Sequence, residues 1–248
     1  MYSRIPMPGF KAKDEDTQCI IFLPLIGALI GAIMFALVRI LTILPAPVSV
    51  RAMIIMIVPL IVTGGFHVDG FMDTVDAKSS HRSMDEKLAI LKDPHIGAFS
   101  VIRLVTAGII ALCSLVVIIN LDSRSSRPVY VLACGIFVIA RALAALTSIY
   151  MKKAKSDGML VTETMNIRNA DIVVLMIQLI AVTALMAYLN PVHTGMIVLA
   201  FAVFTLFYRH MTAKEFGGVT GDTAGYYVTA GEIFALAVLA VSALYINV

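Results

Sequence analysis

The densest chemistry in the chain lies in the string Gly64-Gly65-Phe66-His67-Val68-Asp69-Gly70-Phe71-Met72-Asp73-Thr74-Val75-Asp76. Its carboxylates stand at i, i+4 and i+7, so on a helix Asp69, Asp73 and Asp76 share one face. Like charges stacked in that way repel one another unless a cation sits among them. Hard oxygen ligands next to a membrane suggest Mg²⁺ or Mn²⁺ bridging substrate phosphates. A solvated acidic face explains the bare spacing equally well, and it is the flanking glycines that favour a site. Gly64-Gly65 falls where an apolar run ends, and Gly70 allows close backbone approach to a ligand. His67 reads either as a hydrogen-bonded structural imidazole or, beside an acidic metal site, as a base or phosphate contact.

Two further polar clusters accompany this one. Leu91-Lys92-Asp93-Pro94-His95-Ile96-Gly97 puts a cation and a carboxylate just before an apolar run. Lys92 suits a phosphate, and it suits a membrane-edge lysine as well. Gly217-Gly218-Val219-Thr220-Gly221-Asp222-Thr223-Ala224-Gly225 suits a loop that wraps a phosphate or completes a metal shell, and also a plain flexible connector. It lacks the Gly-Lys-Ser/Thr ending of a Walker A loop. Glu232, Arg141 and, less strongly, Arg103 lie within apolar runs, where an ionisable side chain faces the bundle interior or a wet cavity by default. Arg39, near a run's end, can snorkel.

The elements that must hold these residues are set by composition. Of 248 residues, 60% are hydrophobic and 14% are charged, with a mean hydropathy of +0.93. A soluble domain of ordinary composition is about 45–50% apolar and about 25% charged. Disorder is excluded, and three scattered cysteines exclude a disulfide scaffold. A net charge of +3 without a basic block argues against nucleic acid as a partner. Seven runs approach the ~20 residues a spanning helix needs: 19–44, 50–66, 98–121, 128–150, 172–188, 192–208 and 224–248. The second is short, and Asn190-Pro191 reads as a tight turn between the fifth and sixth. The expected architecture is therefore all-α: one multi-pass bundle over residues 1–248 in a lipid bilayer, with about seven spans. The polar start of the chain does not read as a cleaved signal peptide.

The distribution of lysine and arginine orients the bundle. With the N-terminus inside, the inner segments hold Arg4, Lys11, Lys13, Lys78, Arg82, Lys87, Lys92, Lys152, Lys153, Lys155, Arg168, Arg209 and Lys214. The outer segments hold only Arg51, Arg124 and Arg127, as the positive-inside rule requires. The same orientation gathers the polar loops 67–97, 151–171 and 209–223 on the cytoplasmic face. Residue chemistry alone thus points to a membrane-bound, metal-dependent transfer of a phosphorylated group and names no substrate.

The strings Tyr2-Ser3-Arg4-Ile5-Pro6-Met7-Pro8, Gly64–Asp76, Leu88–Gly97 and Gly217–Gly225 together resemble the cobalamin synthase family, adenosylcobinamide-GDP ribazoletransferase, in its order and spacing and over essentially the whole chain. The resemblance implies a Mg²⁺-dependent multi-pass enzyme of the cytoplasmic (inner) membrane. It would join adenosylcobinamide-GDP to α-ribazole, or its 5′-phosphate, and release GMP. It implies Asp69, Asp73, Asp76 and Asp222 as metal ligands. His67, Asp69, Asp73 and Lys92 would be catalytic, and Gly64, Gly65, Asp93, Arg141, Gly218, Thr220, Gly221 and Thr223 would bind substrate. Departures from the family pattern include Ala77 in place of a glycine, Ala89 and Thr229 in place of glutamates, and Pro94-His95 in place of a serine-arginine pair; the family also usually begins with a further apolar stretch. Two rival readings are a CDP-alcohol phosphotransferase and a transporter or corrinoid-handling membrane protein without catalysis. The first normally continues Asp-Gly with two residues and then Ala-Arg, where this chain has Phe71-Met72-Asp73. Whether the bundle forms a homo-oligomer stays open.

Overall fold

Apolar runs of spanning length become helices because a helix pairs every backbone N–H and C=O internally, which a bilayer core demands. A computed structural model describes residues 19–44, 46–122 and 129–246; the Tyr2–Pro8 string, Lys11, Lys13, Arg124 and Arg127 lie outside them. A short 3₁₀ turn, Cys19–Phe22, leads into α1 (Leu23–Ile43). There follow α2 (Val48–Thr63), α3 (Phe66–Ser79), α4 (Met84–Ile90), α5 (Ala98–Asp122), α6 (Val129–Tyr150), α7 (Met159–Met165), α8 (Asn169–Leu189), α9 (Pro191–Phe216) and α10 (Gly221–Tyr245). No strand occurs among the described residues; one isolated parallel bridge joins Lys153 to Val219.

Six of these helices are long and apolar enough to cross a membrane. The second expected span, 50–66, stops short of the end of its apolar run. It ends at Thr63, and Phe66 opens the next helix, bent by 92° from α2. The cause is local. Gly64 (φ 66°) and Gly65 (φ 83°) are both left-handed, a conformation that stops a helix and that residues with a Cβ adopt only at a cost. The α2–α3 pair is thus an elbow, and α3 turns away from the direction of the span. Residues 67–97, read from the sequence as a loop, are largely the two helices α3 and α4.

Helix α6 is the axis of the bundle, with Leu132, Ile136, Ala140 and Arg141 at most 1% exposed. α1 lies close against it because Gly27 and Gly31 face α6 backbone; a Cβ on Gly31 would stand 2.7 Å from the Cys134 carbonyl oxygen. Small residues at such crossings let helices approach within a bilayer. The outer surface carries exposed Ile61, Ile102, Ile109, Ile177 and Leu199, as a lipid-facing surface should. Asn190 ends α8 and caps α9, its side chain accepting a bond from the His193 N–H at 3.2 Å, which makes the expected tight hairpin.

Candidate active site

Helices α3 and α10 cross at two glycines, and that crossing builds the site. A Cβ on Gly70 would stand 2.7 Å from the Asp222 carbonyl oxygen, and one on Gly225 would stand 3.0 Å from the His67 carbonyl oxygen. Phe71 and Tyr226 stack beside the crossing, with ring centroids 5.6 Å apart. The seam therefore brings the aspartate face of α3 up to Asp222, which opens α10 more than a hundred residues later in the chain.

The electrostatics record this convergence. Burial first, and then the neighbouring charges of Asp69, Asp222 and Asp76, push the Asp73 carboxyl up from its ordinary 3.8 to about 6. Asp69 is exposed, while Asp73 and Asp222 are half-buried. Asp76 points differently. Its two oxygens accept the Gly97 N–H at 2.7 Å and the Ser100 N–H at 2.9 Å, so it caps the start of α5. Among the described residues, no three His, Cys, Asp or Glu side chains enclose a metal position by themselves. Mg²⁺ commonly takes only one or two carboxylates and completes its shell with phosphate oxygens and water. Hard oxygens crowded around Asp73, whose carboxyl is pushed up by burial and its neighbours, are a donor set of that kind.

The second glycine cluster is a rigid turn. Gly217 ends α9 in the left-handed region (φ 73°). Gly218 lies so close to the Lys152–Ala154 backbone that a Cβ would collide with it. Two backbone hydrogen bonds hold the two segments of this contact together, Val219 N–H to Lys152 O at 2.8 Å and Ala154 N–H to Val219 O at 3.0 Å. Thr220 then caps α10 reciprocally with Thr223. The Thr220 hydroxyl accepts the Thr223 N–H at 3.1 Å, and the Thr223 hydroxyl accepts the Thr220 N–H at 2.8 Å. Thr223 is fully buried and also accepts from Tyr208 at 3.2 Å. Both threonines thus shape the turn that presents Gly221 and Asp222.

Lys92, Lys155, Asp157, Phe66, Thr220 and Asp222 line one cavity of about 250 Å³ at this place. The N-terminal ends of α3 and α10 both open onto it, and a helix N-terminus favours an anion. Lys155 was not singled out in the sequence, where only the excess of inner-face cations marks it. The backbone contacts at Val219 hold its loop in place, and its ammonium donates to the Leu88 carbonyl at 3.3 Å. Asp93 turns away from the cavity onto His95; the His95 N–H at 3.0 Å and the imidazole hold its carboxyl below the usual carboxylate range. Gly64 and Gly65 serve the elbow.

Deeper in the bundle, Arg141 and Glu232 form a buried ion pair, and Arg141 also donates to the Phe137 carbonyl at 3.0 Å. The sequence marked each as an ionisable group within a span, and the structure pairs them. His67 is buried, 5% exposed. It lies between a narrow neck, shared with Gly221 and Gly225, and a chamber lined by Arg141 and Glu232.

A family model described as cobalamin-5-phosphate synthase matches residues 1–240. The chain is 34% identical over 237 residues to a protein of Lachnoclostridium phytofermentans, covering 95% of this chain and 88% of that one. It is 32% identical over 245 residues to one of Clostridium botulinum, with 95% and 92% covered. With one of Clostridium perfringens it shares 29% identity over 251 residues, with 97% and 94% covered. All three relatives are named adenosylcobinamide-GDP ribazoletransferase. No solved structure matches the chain.

Proposed function

This chain belongs to the cobalamin-5-phosphate synthase family, and from that membership we propose that the seam of α3 and α10 is the catalytic centre for its reaction. The chain is a multi-pass membrane transferase of cobalamin nucleotide-loop assembly. The reaction joins adenosylcobinamide-GDP to α-ribazole, or to its 5′-phosphate, and yields adenosylcobalamin, or its 5′-phosphate, and GMP. The single observation that carries the placement is the glycine crossing, which sets Asp222 against Asp69 and Asp73 beside a cavity with two lysines.

In this reading the ribazole 5′-hydroxyl attacks the phosphorus attached to cobinamide, the bond to GMP breaks, and GMP leaves with the electron pair. Asp69, Asp73 and Asp222 would hold Mg²⁺; when bound, the ion neutralises charge on the pyrophosphate and the departing nucleotide. Asp76 contributes by fixing α5 against α3, since both its oxygens accept backbone N–H groups. Lys92 and Lys155 bind phosphate oxygens in the cavity, and the N-terminal end of α10 adds its partial positive charge. His67, at the boundary of the neck and the inner chamber, has its pKa pushed down to about 3 by burial and then by the Arg141 charge. It therefore stays neutral and accepts a hydrogen bond from the attacking hydroxyl, whose proton goes to one of the aspartates. Arg141 acts from beneath, holding Glu232 and the floor of the site. The polar helices α3, α4 and α7 and the 151–158 loop face the cytoplasm of a cell with this protein in its inner membrane, with the N-terminus on the same side, as the excess of inner-face cations favours.

The test uses purified protein in liposomes with adenosylcobinamide-GDP and α-ribazole, with and without Mg²⁺. Equal amounts of GMP and adenosylcobalamin, formed only with the metal, are expected. Release of CMP from a CDP-linked lipid instead, with no use of the cobinamide substrate, would overturn the assignment.

A further inference from the structure

The short helix α4 ends at Ile90, and a further turn carries Lys92 onto the wall of the phosphate cavity. In that turn the Lys92 N–H donates to the Ala89 carbonyl at 3.0 Å and the Asp93 N–H to the Ile90 carbonyl at 2.9 Å. Lys92 therefore sits where α4 puts it, and several contacts seat that helix. Leu91 is buried in the same apolar core as Phe216. Lys155 donates to the Leu88 carbonyl at 3.3 Å. Met84 lies over Gly217, where a Cβ would stand 2.8 Å from its sulfur. Lys87 and Glu215 form an ion pair at 2.6 Å, with side chains only 11% and 18% exposed.

The ion pair differs from the other contacts in what it joins. Glu215 lies just before Gly217, the left-handed turn that leads through Thr220 to Asp222. Lys87 lies one helical turn before Leu91, whose N–H donates to the Lys87 carbonyl at 3.2 Å. The pair thus ties the segment that presents Lys92 to the segment that presents Asp222, and neither partner lines the cavity itself. A buried ion pair is weak evidence for stability, since apolar residues of similar volume often serve as well. A short charge-assisted bond supplies instead a fixed distance and direction. The pair of Arg82 with Glu86 at the start of the same helix supplies neither, at 4.0 Å and with both side chains more than half exposed.

We infer that Lys87 and Glu215 are positioning residues for the cobinamide nucleotide: their bond holds Lys92 at the distance from Asp222 that the nucleotide's pyrophosphate spans. Neither touches substrate. The inference rests on the reaction proposed above, with Lys92 as a phosphate contact, and adds what fixes that contact in place.

Glu215→Gln removes the charge and keeps the shape. It should raise KM for adenosylcobinamide-GDP about fivefold, against about tenfold for Lys92→Ala. Its kcat and its KM for α-ribazole should stay within about twofold of wild type, the pattern of a lost binding contact. Lys87→Met should behave alike, and the swapped pair Lys87→Glu/Glu215→Lys should restore KM to within about twofold. The decisive readout is the combination with Lys92→Ala, where Glu215→Gln should add less than about twofold because the pair acts through Lys92. Arg82→Ala should leave every value at wild type. Full additivity with Lys92→Ala, an unchanged KM in folded Glu215→Gln and Lys87→Met, or an equal rise for both substrates would overturn the inference. If one single variant fails to fold, the other carries the same comparisons; if both fail, the pair is a requirement of the fold and the inference falls. Amide hydrogen exchange reads the seat without turnover, and residues 88–93 should exchange about tenfold faster in Glu215→Gln than in wild type. Unchanged exchange would overturn the inference alone. With an inactive wild type, faster exchange would still uphold the seat and place the failure in the reaction.

Discussion

Gly70→Ala and Gly195→Ala make the sharpest pair of perturbations, because the same chemical change should have opposite consequences. Each adds one methyl group inside a helix, and each gains helix propensity of up to about 1 kcal/mol. At Gly195 the new Cβ meets nothing within 4 Å, so the gain stands. At Gly70 the Cβ would lie 2.7 Å from the Asp222 carbonyl oxygen and 3.0 Å from its Cα. Those are backbone atoms, which cannot swing aside, so α3 must move off α10. Overpacking of this kind costs about 1–3 kcal/mol, which leaves Gly70→Ala less stable by up to ~2 kcal/mol. For a chain of this length each kcal/mol shifts Tm by about 2–4 °C. Thermal unfolding in detergent should therefore show Gly195→Ala slightly above wild type and Gly70→Ala several degrees below. Moving Asp69 and Asp73 away from Asp222 should also lower kcat by about 10²-fold, the order expected when reacting groups shift by about 1 Å. Equal Tm and equal kcat for the two variants would refute the view that this crossing assembles the site.

Three other outcomes follow from particular groups. The Asp73 carboxyl lies at about 6 in the folded chain against an ordinary 3.8, so between those values the folded state holds more protons than the unfolded one. Stability without metal should thus fall as pH rises from about 4 through about 6; Tm should rise on going from pH 7 to pH 5, less so in Asp73→Asn, and at pH 7.5 Mg²⁺ should raise Tm in wild type more than in Asp73→Asn. Glu232→Leu leaves the buried Arg141 charge without its partner and should cost about 3–5 kcal/mol by denaturant unfolding, with Arg141→Met added to it restoring most of the loss. Lys155→Ala removes a charged phosphate contact and should raise KM for adenosylcobinamide-GDP about tenfold, or more, leaving KM for α-ribazole unchanged in steady-state assays.

Features carried by neighbouring residues were legible in the sequence, and features carried by distant ones were not. The apolar runs marked the spanning helices. The Asp69-Asp73-Asp76 spacing marked a helical face, and α3 is helical there. Asn190-Pro191 marked its hairpin. The elbow was only half visible. Gly64-Gly65 read as the end of an apolar run and, through the family resemblance, as substrate contacts, whereas two consecutive left-handed residues spend those glycines on turning the chain. In the same way Asp76 shares the aspartate face by spacing, but its oxygens are taken by the start of α5, 21 and 24 residues on. Nothing local announces that Gly70 meets Asp222, or that Arg141 meets Glu232, 91 residues away. Lys155 was equally hidden, since one lysine among several on the inner face differs from the others only through the backbone bonds that fix its loop to Val219. Thr220 and Thr223 looked like ligand contacts because the same hydroxyls that can bind phosphate also cap helices.

The most direct test of the central claim is turnover by single asparagine variants at Asp69, Asp73 and Asp222, measured as GMP and adenosylcobalamin formed in liposomes, with Asp157→Asn for comparison. Asp157 shares the cavity but not the α3–α10 seam. The account predicts that each of the three seam variants stays folded in the membrane and loses at least about 10²-fold in kcat, while Asp157→Asn keeps a kcat within a few-fold of wild type. Near-wild-type turnover in any of the three seam variants, with Mg²⁺ dependence unchanged, would contradict it.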